Sequence, residues 1–379
     1  MNVLDIEKPC VGCGACVDVC PTSALLLQHN KDGFYEPVIF SDKCVNCSKC
    51  VKVCPKGAEN ALRQDGEYYY GWINDEDIRN KSTSGGAFTA LANDFIEKGG
   101  VVFGAVYSED KKAVLMASTL DSTLDALRVS KYCQSYPDNL YGKMHSALKE
   151  NKRVMLTGTP CQISAARRIF GENENLLLVD FMCGGVTPDT AFSDYVAHME
   201  KKYKSPISYI NMRDKTYGWS SPHIKIKFEN GREYISRYQL DLYYHYFYSP
   251  YFKNTPCTDC SFTNHTDADI TVGDFWGFRE QKLQNDDKGM SLICVYSEKG
   301  RDAFRYAKNQ MTVFELEKSQ VDYAFKEQKY SAATLKRRAD FMAKVRENGF
   351  INATKKDDFK FGRIGVCLNK VLKKVLRKR

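Results

Sequence analysis

Eight cysteines between Cys10 and Cys54 stand in two copies of one pattern. Cys10-Val11-Gly12-Cys13-Gly14-Ala15-Cys16-Val17-Asp18-Val19-Cys20-Pro21 recurs as Cys44-Val45-Asn46-Cys47-Ser48-Lys49-Cys50-Val51-Lys52-Val53-Cys54-Pro55. Three thiols spaced by two residues each, on a loop kept small by Gly12, Gly14 and Ala15, can close over one face of an iron–sulfur cube. The fourth cysteine, followed by proline, serves the neighbouring cube, and the proline turns the chain onward. By that rule Cys10, Cys13, Cys16 and Cys54 hold one 4Fe–4S cluster, and Cys44, Cys47, Cys50 and Cys20 hold a second. Zinc also favours paired cysteines, but it takes four ligands from two separated pairs, and a doubled triplet fits it badly.

The doubled run is the signature of bacterial-type ferredoxins, so one-electron chemistry is expected. The other seven cysteines divide. Cys257 and Cys260 form an isolated pair two residues apart, while Cys161 and Cys183 each follow an apolar, strand-like run. Together they could complete a third four-cysteine site; the alternative makes Cys161 and Cys183 small buried hydrophobes. Cys133, Cys294 and Cys367 have no partner at useful spacing. Six histidines are scattered without metal-type pairing, and only His265, close after Cys260, could join a zinc alternative.

Fifteen cysteines in a chain whose first residues show neither a basic leader nor an apolar run argue for metal ligation over disulfides. A cytoplasmic location is expected, and no apolar run reaches the roughly 18–20 residues that span a bilayer. The net charge is +8 over 379 residues. Residues 355–379 hold ten Lys or Arg against Asp357 and Asp358, which accounts for the whole excess. The body is therefore neutral, and a nucleic-acid-coating protein is not indicated. Over residues 361–379, Ile364, Leu368, Val371, Leu372 and Val375 alternate with basic residues. This pattern fits either a solvated terminal helix or peripheral contact with the inner face of a membrane.

Residues 1–60 form the repeat, with a hairpin over 25–40 turning at Lys31-Asp32-Gly33. From 78 the text alternates helices (83–98, 122–129, 137–150, 188–201) with strands (101–106, 153–156, 176–182), which predicts an α/β core. After Pro206 it turns β-rich, with a hairpin at Glu229-Asn230-Gly231, an aromatic stretch over 238–251 and a strand over 268–272. The segment from 319 reads as helical, basic and loosely tied. The expected domains are 1–60, 78–318 and 319–379. No G-x-G-x-x-G follows a strand, so a Rossmann nicotinamide site is not indicated. Ser82-Thr83-Ser84-Gly85-Gly86 could offer backbone N–H groups to a phosphate or be an ordinary helix cap.

Five stretches, in order, resemble the coenzyme F₄₂₀ hydrogenase/dehydrogenase beta-subunit family. They are Ser84-Gly85-Gly86, Ser130-Lys131-Tyr132-Cys133-Gln134-Ser135, Gly158-Thr159-Pro160-Cys161-Gln162, the Cys257 and Cys260 pair, and Asp269-Ile270-Thr271-Val272-Gly273-Asp274-Phe275-Trp276-Gly277. The cysteine repeat gives an N-terminal ferredoxin-like dicluster domain, α+β, and the resemblance implies that the α/β core after it, with its β-rich portion and helical basic tail, binds a flavin. It implies FAD beside a third 4Fe–4S cluster held by Cys161, Cys183, Cys257 and Cys260. The flavin would lie against Ser84, Gly85, Gly86, Ser130, Lys131 and Tyr132, unless Lys131 is a solvated surface lysine. Asp274, Trp276 and one aromatic ring from 238–251 are expected near the site, and no proton donor is assigned. The implied function is an iron–sulfur flavoprotein reductase, passing electrons from a ferredoxin-like or other redox protein to a small organic or glycan-related acceptor. The alternative is a non-catalytic electron-transfer subunit of a larger redox complex.

Overall fold

Each copy of the cysteine repeat folds as a loop running into a single helical turn, α1 (Ala15–Asp18) and α2 (Lys49–Lys52). The hairpin of β1 (Leu25–His29) and β2 (Tyr35–Ile39) lies between them. Asn30 Oδ1 closes its turn by accepting from the N–H groups of Asp32 (2.9 Å) and Phe34 (3.1 Å). The computed structural model describes residues 1–57, 66–263, 267–281, 283, 285–325 and 328–355.

The remainder runs β3 (Glu67–Ile73), α3 (Glu76–Lys81), α4 (Ala87–Glu97), β4 (Val101–Tyr107), β5 (Val114–Ser118), α5 (Leu124–Arg128), α6 (Leu140–Lys149), β6 (Val154–Gly158), α7 (Pro160–Phe170), β7 (Leu176–Phe181) and α8 (Asp189–Tyr203). There follow β8 (Ile207–Asp214), β9 (His223–Phe228), β10 (Glu233–Arg237), α9 (Leu242–Tyr248), β11 (Asp259–Cys260), β12 (Ile270–Asp274), β13 (Ser291–Val295), α10 (Glu298–Lys308), β14 (Met311–Leu316), β15 (Gln328–Lys329), α11 (Ala332–Asn348) and α12 (Phe350–Lys355).

Among the described residues, one eight-stranded sheet has the order β14-β3-β13-β12-β7-β6-β4-β5. Its centre, β12-β7-β6-β4, is parallel, and antiparallel strands flank it on both sides. The central strands carry continuous apolar runs, Val154–Leu156 in β6 and Leu176–Val179 in β7, because both faces are covered. Val154 and Leu156 of β6, with Leu176 and Leu178 of β7, pack with α6 and α7 residues such as Met144 and Ile163. Met155, Leu177 and Val179 face the opposite layer, where Leu91, Phe95 and Phe304 from α4 and α10 lie. The parallel order aligns the carboxyl ends of β6, β7 and β12 on one edge, the usual place for a ligand in such sheets. A second, three-stranded sheet, β10-β9-β8, packs with α8, α9, α11 and α12 in an aromatic core.

Three expectations need correction. The large sheet takes in β3 and so starts ahead of residue 78, because β3 pairs with both β13 and β14. The helix expected from 83 starts at Ala87, since Gly86 holds a left-handed φ of +93°. The segment after 319 is not loosely tied over α11 and α12: Phe341, Met342, Phe350 and Ala353 are buried. Phe341 stacks on Tyr246 (4.7 Å, 9°) and meets Phe252 edge-on (5.5 Å). Its basic residues had hidden this apolar stripe. The amphipathic pattern at 361–379, Cys367 and His265 lie outside the described residues. Among the described residues no helix is long and apolar enough to cross a membrane.

Removing the Phe341 ring leaves a cavity between α9 and α11. Phe341→Ala is expected to cost ~3–5 kcal/mol, read as a lowered urea midpoint.

Candidate functional site

The twelve cysteines expected to bind iron fall into three groups. Cys10, Cys13, Cys16 and Cys54 are neighbours in the N-terminal lobe, residues 1–57, where the thiols of Cys10, Cys16 and Cys54 bear on the ionisation of others in the set. Burial, with Cys54 adding, pushes Cys10 up to about 11 against a hydrogen bond from Gly12 that opposes it. Burial, then Cys16, Cys10 and Cys54, raises Cys13. Burial, then Cys10 and Cys54, raises Cys16. Such a set favours ionisation only with a strong positive centre among the sulfurs. Gly12 (φ +70°) and Gly14 (φ +79°) shape the loop. A side chain at Gly12 would strike Gln134 Nε2 at 2.1 Å. Cys20, Cys44, Cys47 and Cys50 line a separate small hollow near Met1 and Val45, with Cys47 exposed.

Cys161, Cys183, Cys257 and Cys260 converge although 99 positions part the first from the last. Cys161 follows β6 and Cys183 follows β7; Cys257 ends a 3₁₀ turn and Cys260 lies in β11. Burial raises the Cys161 thiol, and Cys13, Cys257 and Cys260 raise it further. Burial raises Cys183, with Cys257, Cys161 and Cys260 adding. Cys13 of the lobe is thus a neighbour of Cys161, and the two groups adjoin. Backbone N–H groups donate to sulfur in all three groups, from Gly12 to Cys10 (3.2 Å), Ala24 to Cys20 (3.3 Å) and Gly185 to Cys183 (3.4 Å). Among the described residues, no three His, Cys, Asp or Glu side chains are gathered tightly enough to bind a single metal ion.

The third group forms one wall of a cavity of about 420 Å³ at the carboxyl ends of β6, β7 and β12. This volume lies within the range of small-molecule sites. Cys13 and Gly12 reach the same cavity from the lobe. The lobe is held there by buried polar contacts. Gln134 Oε1 accepts from the Tyr35 N–H at 2.8 Å, and its Nε2 donates to the Val11 carbonyl at 3.4 Å. Asp18 accepts from the Tyr141 N–H at 2.9 Å. Tyr35 donates its hydroxyl to buried Asp189 at 2.7 Å.

Five of the six residues expected to contact a flavin line the cavity: Ser84, Gly86, Ser130, Lys131 and Tyr132. Gly85 does not. Its N–H donates to Ser291 Oγ at 3.0 Å, and a Cβ there would meet the Gly71 carbonyl at 2.4 Å. Its role is close packing against β3 and β13. Lys131 is half-buried, so it is not a solvated surface lysine. Its Nζ donates to the Ala126 carbonyl, no carboxylate pairs with it among the described residues, and burial draws its pKa down to about 7. Tyr132 stacks on Phe247 from the aromatic stretch (3.9 Å, 8°), and Phe247 also lines the cavity. The stretch otherwise serves the core, where Tyr243, Tyr244 and Tyr246 are fully buried.

Asp274 and Trp276 line the cavity as expected. The sequence reading missed their support. Arg213 pairs with Asp274 at 2.8 Å, Trp219 Nε1 donates to it at 2.9 Å, and the Trp219 ring stacks on Trp276 (4.5 Å, 2°). No spacing could reveal an arginine 61 positions from its carboxylate. The Thr157 Oγ1 on the cavity wall is buried and has no hydrogen-bond partner among the described residues.

The sequence was compared with known families. It matches the N-terminal part of the coenzyme F₄₂₀ hydrogenase/dehydrogenase beta subunit over residues 68–138 and the C-terminal part over 151–320. The chain belongs to that family. A 4Fe–4S dicluster domain matches ahead of these parts, over residues 9–58. The chain is therefore an iron–sulfur redox protein of the beta-subunit family with an added dicluster domain. No curated protein matches it. Among solved structures, the F₄₂₀-reducing NiFe hydrogenase complex from Methanosarcina barkeri, in a xenon-derivatised form, is similar at 15% identity. That match covers 76% of this chain and 91% of that chain, with a TM-score of 0.45.

Lys131 supplies a pH test. Its folded-state pKa lies below the unfolded value of about 10.4. The unfolded chain thus binds the extra proton between about pH 7 and 10, and stability rises with pH through that window. Without added ligand, Lys131→Met should stabilise the chain on the order of 1–3 kcal/mol at pH 7. The gain should shrink toward pH 10 in urea unfolding.

Proposed function

We propose that this beta-subunit relative carries three 4Fe–4S clusters in a row and a flavin, FAD, at the end of the row. The observation that carries the proposal is the shared wall: Cys161, Cys183, Cys257 and Cys260 line the cavity that also exposes Lys131, Ser84 and Gly86. The first cluster would be held by Cys10, Cys13, Cys16 and Cys54, the second by Cys20, Cys44, Cys47 and Cys50, and the third by the cavity set. The cavity residues fit a flavin. The amino end of α4 opens on it at Gly86, with Arg128 and Lys131 nearby, an arrangement suited to phosphate. The paired rings of Tyr132 and Phe247 offer an apolar surface, and the orphan Thr157 Oγ1 needs a partner.

Bound there, a flavin would supply conversion between one-electron and two-electron transfer. The chain's own residues do the rest. The docked lobe shields the Cys13 and Cys161 neighbourhood from water. Arg213 and Trp219 fix the Asp274 carboxylate, and Lys131 Nζ, with its pKa near 7, takes up or gives a proton close to neutrality.

Two readings of the output remain distinct. In one, the chain is itself a reductase that takes electrons from a ferredoxin-like protein and reduces a small organic or glycan-related acceptor. In the other, it is an electron-transfer subunit that hands electrons to a partner protein; its membership of a family named for beta subunits favours this one. Turnover of a hydride donor or acceptor by the isolated chain would support the first reading, and its absence with full cofactor content the second.

Iron, acid-labile sulfide and flavin per chain, measured after purification without oxygen, test the cofactor assignment. About twelve iron and one FAD are expected. Cys260→Ser should lose about four iron and keep the dicluster signal. About eight iron in the unaltered chain, without flavin, would leave only the dicluster domain.

A further inference from the structure

Lys253 is a buried cation whose charged neighbours, among the described residues, are the cysteines of the third group. It is 3% exposed, and its Nζ sits 3.6 Å from the centre of the Phe247 ring and 3.5 Å from the Gly185 carbonyl. Gly185 brings it to the third cysteine group. A side chain at that glycine would meet Cys257 Cβ at 3.0 Å, Lys253 Cδ at 3.3 Å and Cys257 Sγ at 3.5 Å. Cys257 and Cys183 are the charged neighbours that bear on the Lys253 ammonium, and no carboxylate pairs with it among the described residues. Lys253 is absent from the cavity wall that Cys183, Gly185 and Cys257 form. It therefore does not line the cavity itself, and the Phe247 ring under its Nζ does. A lone buried ammonium is costly to fold around unless an anion meets it.

We infer that Lys253 is the built-in counter-charge of the third cluster, making that cluster the most easily reduced of the three and the resting place of incoming electrons. The inference rests on the reading that Cys161, Cys183, Cys257 and Cys260 hold a cluster. Cluster potential follows net charge, hydrogen bonds and burial. In the step concerned, one electron leaves the cluster of Cys10, Cys13, Cys16 and Cys54, which is oxidised, and enters the third, which is reduced. No bond breaks, and the added negative charge appears beside Lys253. The third group and the first differ in their charged surroundings in the required sense. Arg338 and Lys253 act on Cys257, and Lys56 acts on Cys260. For Cys10 the charged neighbours are Cys54 and Glu36, and for Cys13 they are Cys16, Cys10 and Cys54. Arg338 already has Asp32 at 3.9 Å and Lys56 is only half-buried, which leaves Lys253 as the fully buried cation with no carboxylate partner among the described residues.

The test is a dithionite titration of the full chain followed by electron paramagnetic resonance, comparing the unaltered protein with Lys253→Met, Lys253→Arg and Cys260→Ser. In the unaltered chain, the signal that Cys260→Ser lacks should be the first to appear. In Lys253→Met that signal should move to lower potential while the other two stay in place, and Lys253→Arg should restore most of the shift. If the Cys260-dependent signal appears last in the unaltered chain, the inference is overturned, even where Lys253→Met fails to fold. Three unmoved potentials in a folded Lys253→Met overturn it as well, as does an equal shift of all three. Iron content separates the two levels of failure. Twelve iron with no selective shift sinks this inference alone, whereas eight iron in the unaltered chain removes the third cluster on which it rests.

Discussion

Electron transfer between buried centres demands short gaps, so the docking of the Cys10–Cys16 loop against the α/β core governs what the protein can do. That docking depends on a few polar side chains at an otherwise apolar seam. Gln134 reaches the Val11 carbonyl and the Tyr35 N–H from one side chain, which requires the open space that Gly12 leaves for it. Asp18 ties α1 to the start of α6, and Tyr35 and His29 both meet Asp189 at the start of α8. Around these contacts Cys13, Ala15 and Val53 join the same apolar cluster as Leu140, Met144 and Leu156. Buried polar groups with satisfied partners specify one arrangement more sharply than apolar contact alone.

The sheet supplies the second half of the arrangement. Parallel strands present their carboxyl ends together, and there the chain leaves β6 and β7 through Thr159-Pro160-Cys161 and Met182-Cys183. A capping box between Thr159 and Gln162 starts α7 at once after β6. The same glutamine donates from Nε2 to Ser135 at 3.1 Å, next to Gln134. One glutamine thus sets the Cys161 backbone and the other holds the lobe, and the two are linked through Ser135.

Charge is distributed as unevenly as the thiols. The cavity wall carries a lysine with a pKa near neutrality and a carboxylate locked by Arg213, while a separate lysine is a charged neighbour of Cys257 and Cys183. Two of these three positions, Lys131 and Asp274, stand within the short stretches that mark the family. Lys253 stands outside them, just after the aromatic stretch over 238–251.

Local spacing determined the dicluster repeat, because its ligands lie within one tight loop and a recurring copy, and loop geometry there follows from residues a few positions apart. It also determined the α/β alternation and the buried central strands, whose uninterrupted apolar runs report two covered faces. Three things were decided only by tertiary structure. Cys161 and Cys183 come together because parallel pairing aligns the ends of β6 and β7, and the turn and short strand that carry Cys257 and Cys260 reach them from far along the chain. Gly85 turns from the cavity toward Gly71 because β3, unread as a strand, occupies the sheet beside it. The segment 332–355 is tied down because Phe341 and Phe350 find Tyr246 and Phe252 across the fold. In each case the deciding partner is distant along the chain, and the free energy of burial depends on that partner rather than on the residue's own neighbours.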